Sequence, residues 1–165
     1  MIAQINKPII VVALFAASFF AVVNSTRASL VGTESAINVT TIVTGVGSGN
    51  QTRGYTFTLD NLRTLTHLGV FLHANTNNPA AITAARPIGL WDSVGNLVAS
   101  VTIPSGGGGL DLDSNYVWAP VAPTVVLSNT QTYTVGVWYQ TDSSPGLSYN
   151  DAFTQISGFH WGGNR

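Results

Sequence analysis

From Ala36 onward the sequence is organised in short runs of β-branched and aromatic residues, broken every few positions by Gly, Asn, Asp, Pro or Ser. That spacing constrains the fold more than any other feature. A helix needs apolar residues at a period near 3.6, whereas these runs alternate at a period of two or are apolar throughout. Thr52–Leu59 is the clearest case, with Tyr55, Phe57 and Leu59 on one side and Thr56 and Thr58 on the other. Leu97, Ala99, Val101 and Ile103 form a second stripe, and Tyr133, Val135, Val137 and Tyr139 a third. Leu62–His73 is apolar on both faces, which predicts a central or doubly covered strand. Further strands are expected at Ala36–Thr44, Arg86–Trp91, Tyr116–Ala119, Pro123–Leu127 and Ala152–Ser157. Asp92-Ser-Val-Gly95 suits a hairpin turn with Gly95 at the position needing positive φ. Prolines at 120 and 123 belong at an edge or a bulge. Seven to eight short strands without an amphipathic helix predict an all-β, antiparallel β-sandwich or jelly-roll-like fold. Leu68, Val70, Ile88, Leu90, Leu97, Ala99, Val101, Tyr133 and Val135 are its expected core.

The first 28 residues read differently. Lys7 supplies a positive start, and Ile9–Val23 runs for 15 residues without a charge. That is short of the roughly 20 needed to span a bilayer and suits a secretory signal peptide. Small and polar residues follow, and Thr26 and Ala28 occupy the −3 and −1 positions of a cleavage before Ser29; cleavage after Ser25 is the alternative. An uncleaved anchor is the competing interpretation. The chain then divides into a signal peptide at 1–28 and a single domain at 29–165, with a secreted or cell-envelope destination. No later apolar stretch is long enough to cross a membrane.

Composition narrows the chemistry. Charged residues are 8% of the 165-residue chain, against about 25% in ordinary proteins. Four arginines and seven acids remain after residue 28, a net of −3, so no nucleic-acid partner is expected. There is no cysteine, which excludes disulfides, thiolate metal sites and cysteine nucleophiles. Gly47-Ser48-Gly49 lacks the flanking glycines of a nucleophile elbow, and no Lys follows to make a phosphate-binding loop. Glu34 is the only glutamate, and no motif selects a catalytic pair among the six aspartates. The expectation is a non-catalytic protein; a glycan-active hydrolase ranks last.

Four segments carry a resemblance: GYTFTL (Gly54–Leu59), TLTHLGVF (Thr64–Phe71), IGLWDSVGNLVASVTIPSG (Ile88–Gly106) and LSNTQTYTVGVWY (Leu127–Tyr139). In order and spacing they resemble a β-sandwich domain of unknown function in bacterial exported proteins, many of which carry an exosortase sorting tail of the PEP-CTERM type. The resemblance is strongest over residues 54–139. It implies an exported, surface- or matrix-associated domain with no catalytic residues to transfer. The Pro-Glu-Pro motif, apolar span and basic tail of the sorted members are not present before Arg165.

The binding candidates are aromatic. Trp91, Trp118 and Trp138, with Tyr116 and Tyr139, would suit stacking on sugar rings if exposed on a sheet face, and would equally fill the core or cover the sheet ends. The implied partner is an extracellular polysaccharide or matrix protein. Asp111 and Asp113, after the glycines at 106–109, could begin a Ca²⁺ site with Ser114 and Asn115. The pattern lacks the Gly and Glu of an EF-hand loop, and the favoured reading of Pro104–Asn115 is a mobile tether without metal. His67 and His73, about 20 Å apart along one strand, do not make a zinc pair, and His160 lies in the tail. Asn38-Val-Thr40 and Asn50-Gln-Thr52 fit the glycosylation sequon, and a bacterial source would leave them unused.

Overall fold

The computed structural model describes residues 35–41, 50–72, 82–108, 110–113, 116–140 and 152–164. The expected signal peptide, His73 and the sequon residue Asn50's upstream loop lie wholly or partly outside them. The described residues are all-β, with one 3-10 turn at Ser105–Gly107 and every strand pair antiparallel. The strands are β1 (Ile37–Thr41), β2 (Gln51–Leu59), β3 (Arg63–Phe71), β4 (Arg86–Trp91) and β5 (Leu97–Ile103). After them come β6 (Asp111–Asp113), β7 (Tyr116–Leu127), β8 (Tyr133–Tyr139), β9 (Ala152–Gln155) and β10 (Phe159–Asn164). They form a five-stranded sheet in the order β10-β2-β8-β4-β5, a three-stranded sheet β3-β7-β6 and a two-stranded sheet β1-β9.

One apolar core joins the two larger sheets. Phe57, Leu59, Ile88, Leu90, Ile103 and Tyr133 come from the first and Leu68, Val70, Val117 and Ala119 from the second. Period-two alternation produces this directly, because every second side chain of each strand points inward. On the inner face of the larger sheet three rings stack across adjacent strands, Phe159 on Phe57 at 4.8 Å and Phe57 on Tyr133 at 5.5 Å. The Tyr133 hydroxyl accepts from the Ser128 amide at 2.7 Å and from Gln131 Nε2 at 2.8 Å, so its polar end is satisfied where the core meets the loop.

The expected core is largely observed. Leu68, Val70, Ile88, Leu90, Ala99 and Tyr133 are buried, and Val101 and Val135 pack against them half-buried. Leu97 is the exception, 57% exposed. A bulge lies between Leu90 and Trp91, where the register moves from Leu90↔Ala99 to Trp91↔Leu97. It throws Leu97 off the inward stripe, and a strict period of two cannot foresee that.

Other expectations are corrected. There are ten strands among the described residues, not seven to eight. The two short strands expected at Tyr116–Ala119 and Pro123–Leu127 are one strand, β7, with a cis Ala122–Pro123 bond and a bulge opposite Leu65–His67. β7 is the middle strand of its sheet, yet β6 pairs only with residues 116–118. Its prolines therefore sit where that side needs no donor. β3 is an edge strand rather than a central one. Its second apolar face is explained by Phe71, which is buried against Tyr116. The mobile tether expected at Pro104–Asn115 is bonded to the rest of the fold over its described residues. The Gly106 amide donates to Ile82 O at 2.8 Å, Ser105 Oγ donates to Ile82 O and Thr83 O, and Asp111–Asp113 forms β6. β6 and β10 were missed because short, glycine-rich segments have little strand signal of their own.

The β4–β5 hairpin forms as the sequence requires. Gly95 has φ of 89°, and its amide donates to Asp92 O at 3.1 Å. Asp92 Oδ1 accepts from the Val94 and Asn96 amides, and Oδ2 accepts from Asn96 Nδ2 at 2.9 Å. The Asn96 side chain, followed by the turn amides, holds the Asp92 carboxyl below its ordinary value. A depressed folded value stabilises above the unfolded pKa, and the contribution is lost as pH falls through the folded one. Asp92→Ala is therefore expected to flatten the acid limb of a stability-versus-pH curve, read by urea melts between pH 7 and pH 3. Gly95→Ala is expected to cost about 1–2 kcal/mol at all pH values, because a Cβ strains that backbone; an unchanged urea midpoint would contradict it.

Candidate functional site

The two larger sheets each expose one face, and each face carries a tryptophan laid on glycine. On the five-stranded sheet Ile88 and Leu90 point into the core, so Gly89 and Trp91 belong to the outer face. A Cβ on Gly89 would collide with the Trp91 six-membered ring, whose Cζ3 would stand at 2.8 Å. The indole therefore lies flat across Gly89. It also reaches the neighbouring strand, where a Cβ on Gly136 would stand 3.4 Å from Trp91 Cζ3 and 3.2 Å from Thr52 Cγ2. Gly54, Gly136 and Gly89 are in register across β2, β8 and β4. Glycine weakens a strand interior and often marks a close approach. Here Gly89 and Gly136 form the floor under an indole.

Two residues beyond Gly136 on the same face stands Trp138, 42% exposed and in register with Thr52. Half-buried Thr134 continues the face, and its register partner Thr56 is buried. The outward positions of β2, β8 and β4 carry only Thr, Gly, Pro and Trp. Hydroxyls and two large rings thus share the outward positions of these three strands without a charged side chain, while His160, in register with Thr58 on β10, stands with Asp60 at the edge of the sheet.

The outer face of the three-stranded sheet is differently built. Gly69 pairs with Trp118, and a Cβ there would meet the Trp118 ring, with Cδ2 at 2.8 Å. Trp118 stacks on Tyr116 at 4.9 Å, and Tyr116 meets Phe71 edge-on at 5.2 Å. The Tyr116 hydroxyl donates to Ile37 O at 3.0 Å, tying this sheet to β1. Asp111 is in register with Trp118 and Asp113 with Tyr116. The acidic pair and two of the five aromatic candidates therefore fall on adjacent strands, although the sequence separates them by a loop.

Not all the aromatic candidates reach the surface. Tyr116 and Tyr139 are buried, so neither offers a ring face to solvent. Tyr139 is interior because it shares the inward parity of Tyr133, with the guanidinium of buried Arg86 4.9 Å from its ring and that of Arg53 at 5.9 Å. Cation–π contact favours that placement. Arg86 Nη1 also donates to Ala84 O at 3.2 Å. Trp118 Nε1 is buried and has no hydrogen-bond partner among the described residues. Its ring is held by stacking rather than by its polar end.

Among the described residues no group of three His, Asp or Glu could hold a metal ion, and no helix is long and apolar enough to cross a membrane. His67 bonds to the neighbouring Thr66 Oγ1 at 3.0 Å, and exposed His160 pairs with Asp60 Oδ1 at 2.7 Å at the β2–β10 edge. The glycine floor is what reading the sequence missed. Its signal was present as glycines inside strongly apolar strand patterns, but only strand pairing shows that they are neighbours. The chain matches no protein-family model, no curated protein and no solved structure.

Proposed function

We propose that the chain is an exported, non-catalytic β-sandwich module that acts by adhesion at the cell surface or in the extracellular matrix. The sandwich reading is supported by the five- and three-stranded sheets, which share one core. The observation that carries the binding role is the outer face of β2, β8 and β4, whose outward positions hold no charged side chain, with Trp91 on its glycine floor and exposed Trp138. A contiguous exposed apolar patch marks an interaction surface, and here exposed Trp138 stands on one face with half-buried Trp91 and exposed Leu97. Export is supported by Lys7, the Ile9–Val23 run and the small residues before Ser29. Membership among bacterial exported domains of the PEP-CTERM kind is supported by the Gly-Leu-Trp-Asp-Ser hairpin and the later Gln-Thr-Tyr run.

The test is fractionation of a bacterial host that expresses the full chain, followed by N-terminal sequencing. The mature protein is expected in the medium or envelope, beginning at Ser29 or Thr26. Full-length protein confined to the cytosol would overturn the reading.

A further inference from the structure

We propose that the outer face of the five-stranded sheet is a binding site for an uncharged polysaccharide, with Trp91 and Trp138 as its stacking platforms. The proposal rests on the surface-module reading and specifies its ligand. Four features of the face converge on that ligand.

The first is the posture of Trp91. Its ring lies flat on Gly89 and Gly136, so one indole face is against the sheet and the other is turned outward. A pyranose ring presents a patch of C–H groups on one face and hydroxyls around its rim. A flat indole takes the C–H face by apolar contact. The second is Trp138. It shares the face, is 42% exposed and lies one residue pair along β8 from Gly136. Two rings on adjacent strands of one face suit a polymer that repeats its stacking surface. The third is the polar content. Thr52 and Thr134 flank the rings, and a hydroxyl can donate to or accept from a sugar hydroxyl. The fourth is charge. No acidic or basic side chain stands on the outward positions of β2, β8 or β4. An anionic polymer would find no cation there, and burying its charge unpaired is costly.

A folded protein is a poorer fit to the same face. Stable protein interfaces bury about 800 Å² per partner around an apolar core. Here the two rings and Leu97, which is in register with Trp91 and 57% exposed, are the large apolar side chains, and they are set among glycine and threonine. That composition suits a thin, hydroxyl-rich ligand.

The experiment is affinity electrophoresis of the full chain in native gels containing one of four neutral polymers (hydroxyethyl cellulose, galactomannan, xylan, dextran) or anionic alginate. Retardation by at least one neutral polymer, and none by alginate, is expected. Trp138→Ala and Trp91→Ala should each weaken it roughly tenfold. Gly89→Ala should weaken it too, by lifting the indole from its floor, while Trp118→Phe on the other sheet should leave it unchanged. Melting curves accompany every variant. If Trp91→Ala does not fold, Trp138→Ala decides, since an exposed ring is not needed for folding. Retardation that survives Trp138→Ala places binding elsewhere and overturns the site. Retardation by alginate alone overturns the ligand class. No retardation in any gel overturns the inference, whereas the surface-module reading fails only on the fractionation result.

Discussion

Val117→Asp is expected to unfold the protein at room temperature. Val117 is completely buried in the middle of the three-stranded sheet, facing the five-stranded one. It pairs with Val70 on β3 and with Leu112 on β6. A carboxylate there loses its hydration, and the cluster that Val117 belongs to is apolar. The penalty for an unpaired buried ion is several kcal/mol, to which the lost apolar packing adds. Total stabilities of single domains are about 5–15 kcal/mol, so this one change consumes most of the margin. The matched control lies on the same strand. Val126 is 63% exposed, and Val126→Asp is expected to shift stability by no more than ~0.5 kcal/mol. Far-UV circular dichroism and urea melts of the pair make the comparison. A folded Val117→Asp protein with an unchanged midpoint would contradict the shared core.

Gly54→Ala should be nearly as damaging, for a different reason. A Cβ at Gly54 would overlap the carbonyl oxygen of Val135 and stand 2.9 Å from Gly136 Cα and from the Val135 carbonyl carbon. All three are backbone atoms of the adjacent strand, so no side chain can swing aside. The methyl fits only if β2 and β8 separate, and β8 is the central strand of the five-stranded sheet. Overpacking typically costs about 1–3 kcal/mol, and a clash that must be relieved by backbone belongs at the top of that range. Gly136→Ala is the informative partner. Its Cβ would meet Thr52 Cγ2 at 3.2 Å and the Trp91 ring at 3.4 Å, both ends of side chains that can shift. Gly136→Ala is therefore expected to cost less than half as much. Equal losses in the two alanine variants would show that strand propensity, not the close approach of β2 and β8, is why glycine stands at position 54.

The sheet face that the glycines shape also accounts for how the aromatic residues divide. Trp91, Trp118, Trp138, Tyr116 and Tyr139 look alike in sequence, each near the end of a short apolar run. The fold sorts them by strand parity and by partner. Tyr139 shares the inward parity of Tyr133 and is buried beside two guanidinium groups. Trp138, one residue away, takes the opposite face and is exposed. Tyr116 lies on an outer face yet is buried, because Phe71 and Trp118 flank it and its hydroxyl reaches β1. Burial at that position follows from a contact across 79 residues of chain, and no local pattern carries it.

What the sequence determined by itself is the class of structure. Alternating runs at 52–59 and 133–139 can bury one face only as strands. The Asp92–Gly95 turn sets the β4–β5 hairpin, because its side-chain acceptor and its positive-φ residue are both local. Those features rest on interactions within a few residues, so they can be read along the chain. The tertiary structure decided what depends on distant segments meeting. The Leu90–Trp91 bulge moved Leu97 to the surface, and β6 formed because β7 offered it an edge. Most of all, three glycines from β2, β8 and β4 came into register and two of them became the bed of an indole. Pairing across strands is a non-local contact whose register is settled by the whole buried face at once. The residues of the candidate site were therefore visible in the sequence one by one, and their arrangement into a platform was not.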